Sequence, residues 1–339
     1  MDLFAFDPPE IDPDEIVEIA ARFYGVTGGL TRLRGERSHN TLIAAADGTE
    51  YVLKIASTNE PIDTVRMHAA ALIHLEREAE HLPVARIVRS VDGDAVPVLE
   101  RADRTHAMRL VTHLPGVTFG DRDPISTGGL RSIGALVGAV SAALADFDHP
   151  SARHFVAWDI ASGLIDDAEL WDALAPDAAL ALAPARSRLD AATVAMRHLP
   201  RQVIHNDGHA GNLLRSDNGS DRVTGIIDFG DLVHTITVAD LAVAGANLAL
   251  HQADPVAALV AIVDGFRSVR AVSGAELSAL PDLVLCRLVL STLLIEHQIA
   301  HAPHIAGAVA AERPGLLADV ERWLSFDPDQ VIDELMVSR

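Results

Sequence analysis

Residues 202–231 read QVIHNDGHAGNLLRSDNGSDRVTGIIDFGD. This stretch interrupts alanine-rich sequence of helical character and cannot itself be helix. An apolar lead-in, Gln202–Ile204, delivers HNDGHAGN (205–212), a polar loop with two glycines and many residues suited to special backbone conformations. LLRSDNGSDRVTGIID (213–228) then reads as a hairpin with DNGS as its turn. It returns the chain to Asp228, followed by Phe229 and Gly230. Two carboxylates, Asp207 and Asp228, and one amide, Asn212, are therefore expected at the ends of adjacent short strands. That grouping suits phosphoryl transfer. One carboxylate orients and deprotonates an attacking hydroxyl, while the other, with the amide oxygen, holds Mg²⁺ across nucleotide phosphates.

Upstream, Asp12-Pro13 is a cap-plus-N1 signal, with Ile16, Ile19, Ala20 and Phe23 on one helical face and Gly25 placed to end the helix. NTLIAA (40–45) and TEYVLKIA (49–56) flank ADG and predict a hairpin. Residues 65–82 have helical periodicity. ARIVRS (85–90), AVPVLE (95–100) and HAMRLVTHL (106–114) read as three further strands, the first two joined by a VDGD turn. After LPG (114–116), helical segments dominate at 129–147, 174–199, 237–252, 255–270 and 280–303. The expected fold class is α+β, with a β-rich N-terminal lobe over 1–113 and a larger helical lobe over 114–339.

Composition narrows the function. With 49% hydrophobic residues in 339, the chain can bury a sizeable core. A formal net charge of −21 disfavours nucleic acid as a partner, because a phosphate backbone needs a basic footprint. The acidity either attracts a cationic small molecule or serves solubility. The acidic start MDLFAFDPPEIDPDE has no apolar signal-peptide core. The run LVLCRLVLSTLLI (283–295) is broken by Arg287 and short for a bilayer, so it predicts a buried helix and no membrane partner. A single cysteine, Cys286, fits a reducing, cytoplasmic location.

Of the 27 basic residues, one alone is lysine, Lys54, inside YVLKIA. An ammonium is a compact point charge where a guanidinium is a wide fork, so a tight phosphate site could retain the first against a bias toward the second.

HNDGHAGN followed by IIDFGD resembles the catalytic-loop and metal motifs of the aminoglycoside phosphotransferase and choline kinase superfamily, whose fold is protein-kinase-like. Within it, GERSHN, YVLKIA, FDHP…WDI and IIDFGDLVHTITVADLA are most similar to hydroxylysine kinase-like phosphotransferases. The resemblance covers residues from about 30 to 250. It implies Asp207 as the catalytic carboxylate, Asn212 and Asp228 as metal ligands, and Lys54 on the α- and β-phosphates of ATP or GTP. RGERSHN (34–40) would be the phosphate-covering turn, with Gly35, Arg37, Ser38 and Asn40; an ordinary β-turn explains it nearly as well. His205 and Asp240 are expected as supports for the loop. Trp158, Asp159, Asp231 and His234 are candidates for an amine-bearing acceptor, Trp158 equally for core.

The kinase pattern also calls for a helix glutamate to position the lysine, and TVRMHAAALIHL (64–75) contains no acid. Glu76, Glu78, His68, His74 or water are the alternatives. His205 with His209, and His297, His301 with His304, have spacings that also occur in metal sites, although the first pair sits in glycine-broken sequence. The expected activity is transfer of the γ-phosphoryl to the hydroxyl of a hydroxylated amino acid or amino alcohol. An aminoglycoside is the alternative acceptor, and a nucleotide-binding pseudokinase or regulatory module the alternative of another class.

Overall fold

The computed structural model describes residues 7–35, 37–101, 104–120, 122–301 and 310–337. The chain divides into two compact units, Met1–Pro115 with His149–Ala152, and Gly116–Asp148 with Arg153–Arg339.

The first unit starts with α1 (Pro13–Tyr24). The Asp12 side chain accepts from the Asp14 N–H, and Gly25 closes the helix at φ 66°, a left-handed conformation open to glycine. The buried face is Ile16, Ile19, Ala20 and Tyr24, with Phe23 only partly buried. The sheet comprises β1 (Gly28–Leu33), β2 (Ser38–Ala45), β3 (Glu50–Ala56), β4 (Ile87–Val88) and β6 (Arg104–Thr112) in the order β1-β2-β3-β6-β4, with β5 (Val98–Arg101) also on β6. All its pairings are antiparallel. The β2–β3 hairpin turns at Asp47-Gly48, where Gly48 has φ 86° and Asp47 Oδ1 accepts from the Thr49 N–H.

Alternation divides the sheet into two faces. Leu53 and Ile55 of β3, with Met108 and Leu110 of β6, pack with Ile16 and Ile19 of α1. On the opposite face, Ala56 and Ala107 pack against Val65 of α2 (Ile62–Glu78). Lys54 alternates with Leu53 and Ile55 and so shares the α2 side.

The second unit holds β7 (Val117–Thr118), β8 (Arg201–Ile204), β9 (Leu213–Arg215), β10 (Val223–Ile226) and β11 (Val233–Ile236). They form a three-stranded sheet, β10-β9-β7, and an antiparallel pair, β11-β8. The expected hairpin is β9–β10, with Gly219 at φ 83° in its turn. The segment expected as helix over 174–199 is broken into α5 (Pro176–Leu182) and α6 (Arg186–Met196), with α4 (Ala168–Asp172) just before it. Pro176 and Pro184 each start a new turn, since proline lacks the N–H that continues a helix.

The helical framework is α3 (Thr127–Ala143), α7 (Ala239–Asn247), α8 (Pro255–Arg267) and α9 (Gly274–His301), followed by α10 (Arg313–Leu324) and α11 (Pro328–Val337). By length and composition α9 could cross a membrane, yet 83% of its most apolar window is buried within the fold. Cys286 is buried in it, and burial raises its thiol pKa.

Helices α3 and α8 meet backbone to backbone. A Cβ on Gly134 would lie 1.9 Å from the Ile262 carbonyl oxygen, and one on Gly265 would lie 2.0 Å from that of Arg131. Gly134→Ala and Gly265→Ala should each therefore cost about 1–3 kcal/mol, read as a lowered urea midpoint. Gly128→Ala, whose Cβ would have only Ser126 Oγ at 3.7 Å, should leave the midpoint in place.

Candidate active site

Strand β8 ends at Ile204 and delivers the loop His205–Asn212, which has an unusual backbone. Among the described residues, Asn206 (φ 65°) and Asp228 (φ 60°) are the non-glycine positions with positive φ. Such conformations cost on the order of 1–3 kcal/mol and persist where surroundings enforce them.

Two buried groups supply that enforcement. Asp240, 1% exposed at the start of α7, accepts the Asn206 N–H through Oδ1 at 2.8 Å. His205 Nδ1 accepts the Asp207 N–H at 3.2 Å, so the proton sits on Nε2, which donates to the Ile227 carbonyl at 3.1 Å. Burial pushes the His205 pKa down to about 4, keeping the ring neutral, and Phe229 packs edge-on at 4.6 Å. One imidazole thus ties the backbone of Asp207 to the residue before Asp228.

Asn212 completes the arrangement. Its Nδ2 donates to the Asp207 carbonyl at 3.0 Å and to Asp207 Oδ2 at 2.6 Å. Its own carbonyl accepts the Ile227 N–H at 2.9 Å. The structure therefore brings Asp207, Asn212 and the Asp228 segment together. The amide nitrogen is committed to Asp207, which leaves Oδ1 as a neutral oxygen donor in a loop that the Ile227 N–H ties to the Asp228 segment. Hard oxygen donors of this kind fit Mg²⁺ or Ca²⁺ and not a soft metal.

Sequence reading missed Arg287 at Asp207 and named His209 only for a metal-like spacing with His205. His209 Nδ1 accepts the Gly211 N–H at 3.1 Å, so its Nε2–H lies toward Asp207 Oδ2, 3.6 Å away. Arg287 of α9, 5% exposed, places Nη2 at 3.8 Å from Asp207 Oδ1. Its Nη1 donates to the Trp158 carbonyl, and the guanidinium lies over the Trp158 ring at 5.3 Å. Asp207, Asp231 and Asp159 all act on it electrostatically against the desolvation that lowers its pKa. The only signal in the sequence was that Arg287 breaks an apolar run.

The acceptor candidates surround this arginine. Asp159, 6% exposed, accepts from Thr235 Oγ1 at 2.9 Å and the Ala161 N–H at 3.0 Å, and burial raises its pKa. Asp231 is 8% exposed. The Trp158 ring is engaged by Arg287. His234 is half-buried on β11 opposite Val203. His297 and His301 stack at 4.3 Å, while His304 lies outside the described residues.

In the first unit, Lys54 pairs in register with Asn40 on β2 and Arg109 on β6. Ser38 Oγ donates to Asn40 Oδ1 at 2.7 Å and Asn40 Nδ2 donates to the Arg34 carbonyl at 3.1 Å, cross-bracing the β1–β2 turn. A Cβ at Gly35 would lie 2.4 Å from Asn40 Nδ2, so the turn closes only over glycine. The Arg37 carbonyl accepts the Ser57 N–H at 2.8 Å.

Two predictions follow from these geometries. The Asp240 pKa is raised by burial to about 7, so its folded value exceeds the ordinary carboxylate value. The stability this protonated form contributes is present below about pH 4 and lost as pH climbs toward 7. Asp240→Asn keeps the acceptor for Asn206 and removes the charge, so its unfolding midpoint should rise more steeply with pH than the wild type's over pH 4–7. Arg287→Met removes the cation among three buried or half-buried carboxylates and should cost about 3–5 kcal/mol in a denaturant titration. An unchanged midpoint would show that the arginine does not hold the cluster.

The chain is similar to known proteins over most of its length. The model of the phosphotransferase enzyme family, APH, matches residues 29–274. Hydroxylysine kinase of Danio rerio is 22% identical over 311 residues, covering 87% of this chain and 86% of that one. Hydroxylysine kinase of Mus musculus is 24% identical over 259 residues, covering 71% and 68%. Among solved structures, an amicoumacin kinase in complex with AMP-PNP and Ca²⁺ superposes with TM-score 0.71 at 17% identity over 95% of this chain and 97% of that one. A microcompartment-associated aminopropanol kinase gives TM-score 0.71 at 19% identity over 92% and 98%. The fold is thus the α+β kinase-like one, with a small antiparallel-sheet unit and a larger helical unit. The chain belongs to the APH phosphotransferase enzyme family and is a small-molecule kinase.

Proposed function

We propose that the protein transfers the γ-phosphoryl of ATP or GTP to the hydroxyl of an amine-bearing small molecule, a hydroxylated amino acid or amino alcohol. The observation that carries the reading is the Asn212–Asp207 pair beside Asp228. The 2.6 Å bond from Asn212 Nδ2 fixes Oδ2 of Asp207, leaving Oδ1 within reach of Arg287 and of an incoming hydroxyl.

Asp207 then orients the acceptor hydroxyl and takes its proton as the O–P bond forms in line. Arg287 and the His209 Nε2–H flank this carboxylate and keep it aimed. Asn212 Oδ1 and the Asp228 carboxylate are the residues that would hold Mg²⁺, which when bound would supply a counter-charge for the phosphates. Lys54 holds the α- and β-phosphates as a point charge. The turn 34–40 covers the phosphates with backbone N–H groups from Gly35 and Arg37, and the Ser38–Asn40 brace keeps its shape.

Two features support the acceptor class. Asp207, Asp159 and Asp231 all act on Arg287, and with Arg201 also acting on Asp159 the carboxylates still outnumber the guanidiniums, an electrostatic setting that favours a cationic ligand. The matched relatives are hydroxylysine kinases, and one structural neighbour is an aminopropanol kinase.

Asp207→Asn should lower kcat by several orders of magnitude with nucleotide affinity and thermal midpoint nearly unchanged, because the amide keeps the shape of the side chain and an acceptor oxygen for Asn212 Nδ2. Nucleotide consumption measured across hydroxylated amino acids, amino alcohols and aminoglycosides checks the acceptor. Near-normal turnover by the variant, or preferential use of an aminoglycoside, would overturn the respective part.

A further inference from the structure

On the face of the first sheet that packs against α2, residues meet across β3 and β6 in rungs. Val52 stands opposite Val111, and Lys54 stands opposite Arg109. Ala56 and Ala107, two positions along from Lys54 and Arg109, pack with Val65 of α2. Strand alternation puts 52, 54 and 56 on that face, and 107, 109 and 111 with them. A rung of two cations therefore lies between apolar residues. Directly opposite residues have Cβ atoms about 5 Å apart, so the two charged heads can reach one diphosphate between them.

Arg109 is the deeper member. It is 8% exposed, whereas Lys54 is half-buried. Its Nη1 is buried without a hydrogen-bond partner, and among the described residues no ion pair engages the guanidinium. A guanidinium carries five N–H donors, and a buried one is costly unless acceptors meet it. Arg287, the other arginine as deeply buried among the described residues, shows the usual solution, with the Trp158 carbonyl and three carboxylates around it. Arg109 has no such set within the protein.

The rung has another end. On its far side Lys54 pairs with Asn40 of β2, whose side chain cross-braces the glycine turn 34–40. Asn40, Lys54 and Arg109 thus form one line across three strands, about 10 Å long at the spacing of strands in a sheet. The line runs from the turn into the sheet, and its inner end is the guanidinium that lacks an acceptor.

We infer that Arg109 is a second phosphate-binding cation of the nucleotide site, its planar fork taking non-bridging oxygens of the α- and β-phosphates beside the Lys54 ammonium. The assignment rests on reading Lys54 as the nucleotide's cation. The two residues differ in what they offer: the fork fixes the orientation of a phosphate through paired N–H donors, and the ammonium acts as a point charge. In the sequence Arg109 is one arginine among many, and only its register with Lys54 and its burial set it apart.

Calorimetry on the wild type and on Arg109→Met, with ADP, inorganic pyrophosphate and adenosine as probes, tests this. The substitution should weaken ADP and pyrophosphate by about ten- to a hundredfold, the loss expected for hydrogen bonds to a charged group, and leave adenosine unchanged. Without any probe, the thermal midpoint of Arg109→Met should rise, because a buried charge without an acceptor has been removed. In turnover the nucleotide KM should rise by the same factor while the acceptor KM stays constant. Arg109→Lys, which keeps the charge and loses the fork, should fall between the two. Undiminished binding of ADP and pyrophosphate by Arg109→Met would overturn the inference, as would a wild type that binds neither. A lowered midpoint, or adenosine lost together with ADP, would mark a scaffold role and overturn it equally. Should Arg109→Met not fold, Arg109→Gln is read for the same affinities. A wild type that binds pyrophosphate through Arg109 but transfers no phosphoryl group would sink the proposed function and leave this assignment intact.

Discussion

The hydrogen bond from the Asn206 N–H to the buried Asp240 carboxylate is the constraint from which the catalytic loop follows. It holds a non-glycine residue in a left-handed conformation and so sets the direction in which the next residue, Asp207, leaves the strand. The strain is local, on the order of a few kcal/mol, and is offset by buried hydrogen bonds. His205 carries the same constraint across to the second left-handed residue, Asp228, through the Ile227 carbonyl. Both carboxylates thereby depend on an aspartate and a neutral histidine that burial has moved away from their ordinary titration ranges.

A second layer of control is electrostatic. Burying Arg287 in the long apolar helix is costly in isolation, and the Trp158 carbonyl, its ring and three carboxylates surround the guanidinium in compensation. The result is a cation that cannot move independently of Asp207. The neighbouring acids keep the local balance negative, which links the scaffold of the second unit to the charge of the acceptor proposed for it.

How much of this was legible in the sequence depended on range. The hairpin at Asp47-Gly48, the cap at Asp12, the helix end at Gly25 and the hairpin through Gly219 all arise from local backbone preferences, and each lies where its residues pointed. Strands β8 and β11 were not recognised as a pair. Each is four residues long and its partner lies about thirty positions away, so no local pattern announces the ladder. The broken helix over 174–199 shows the converse: Pro176 and Pro184 were visible, but alanine-rich periodicity outweighed them in the reading.

The sequence by itself determined the kind of chemistry, because Asp207, Asn212 and Asp228 have a spacing whose donors suit phosphoryl transfer, and Lys54 is a lone ammonium on a strand. It also determined the two-part layout, since a switch from alternating to helical periodicity is written in neighbouring residues. Only the tertiary structure decided which side chains serve those groups. Arg287 comes within 3.8 Å of Asp207 from eighty positions downstream. Such partnerships are set by burial and by which face of an element meets another, and a charge in a one-dimensional string does not disclose which other charge it will meet.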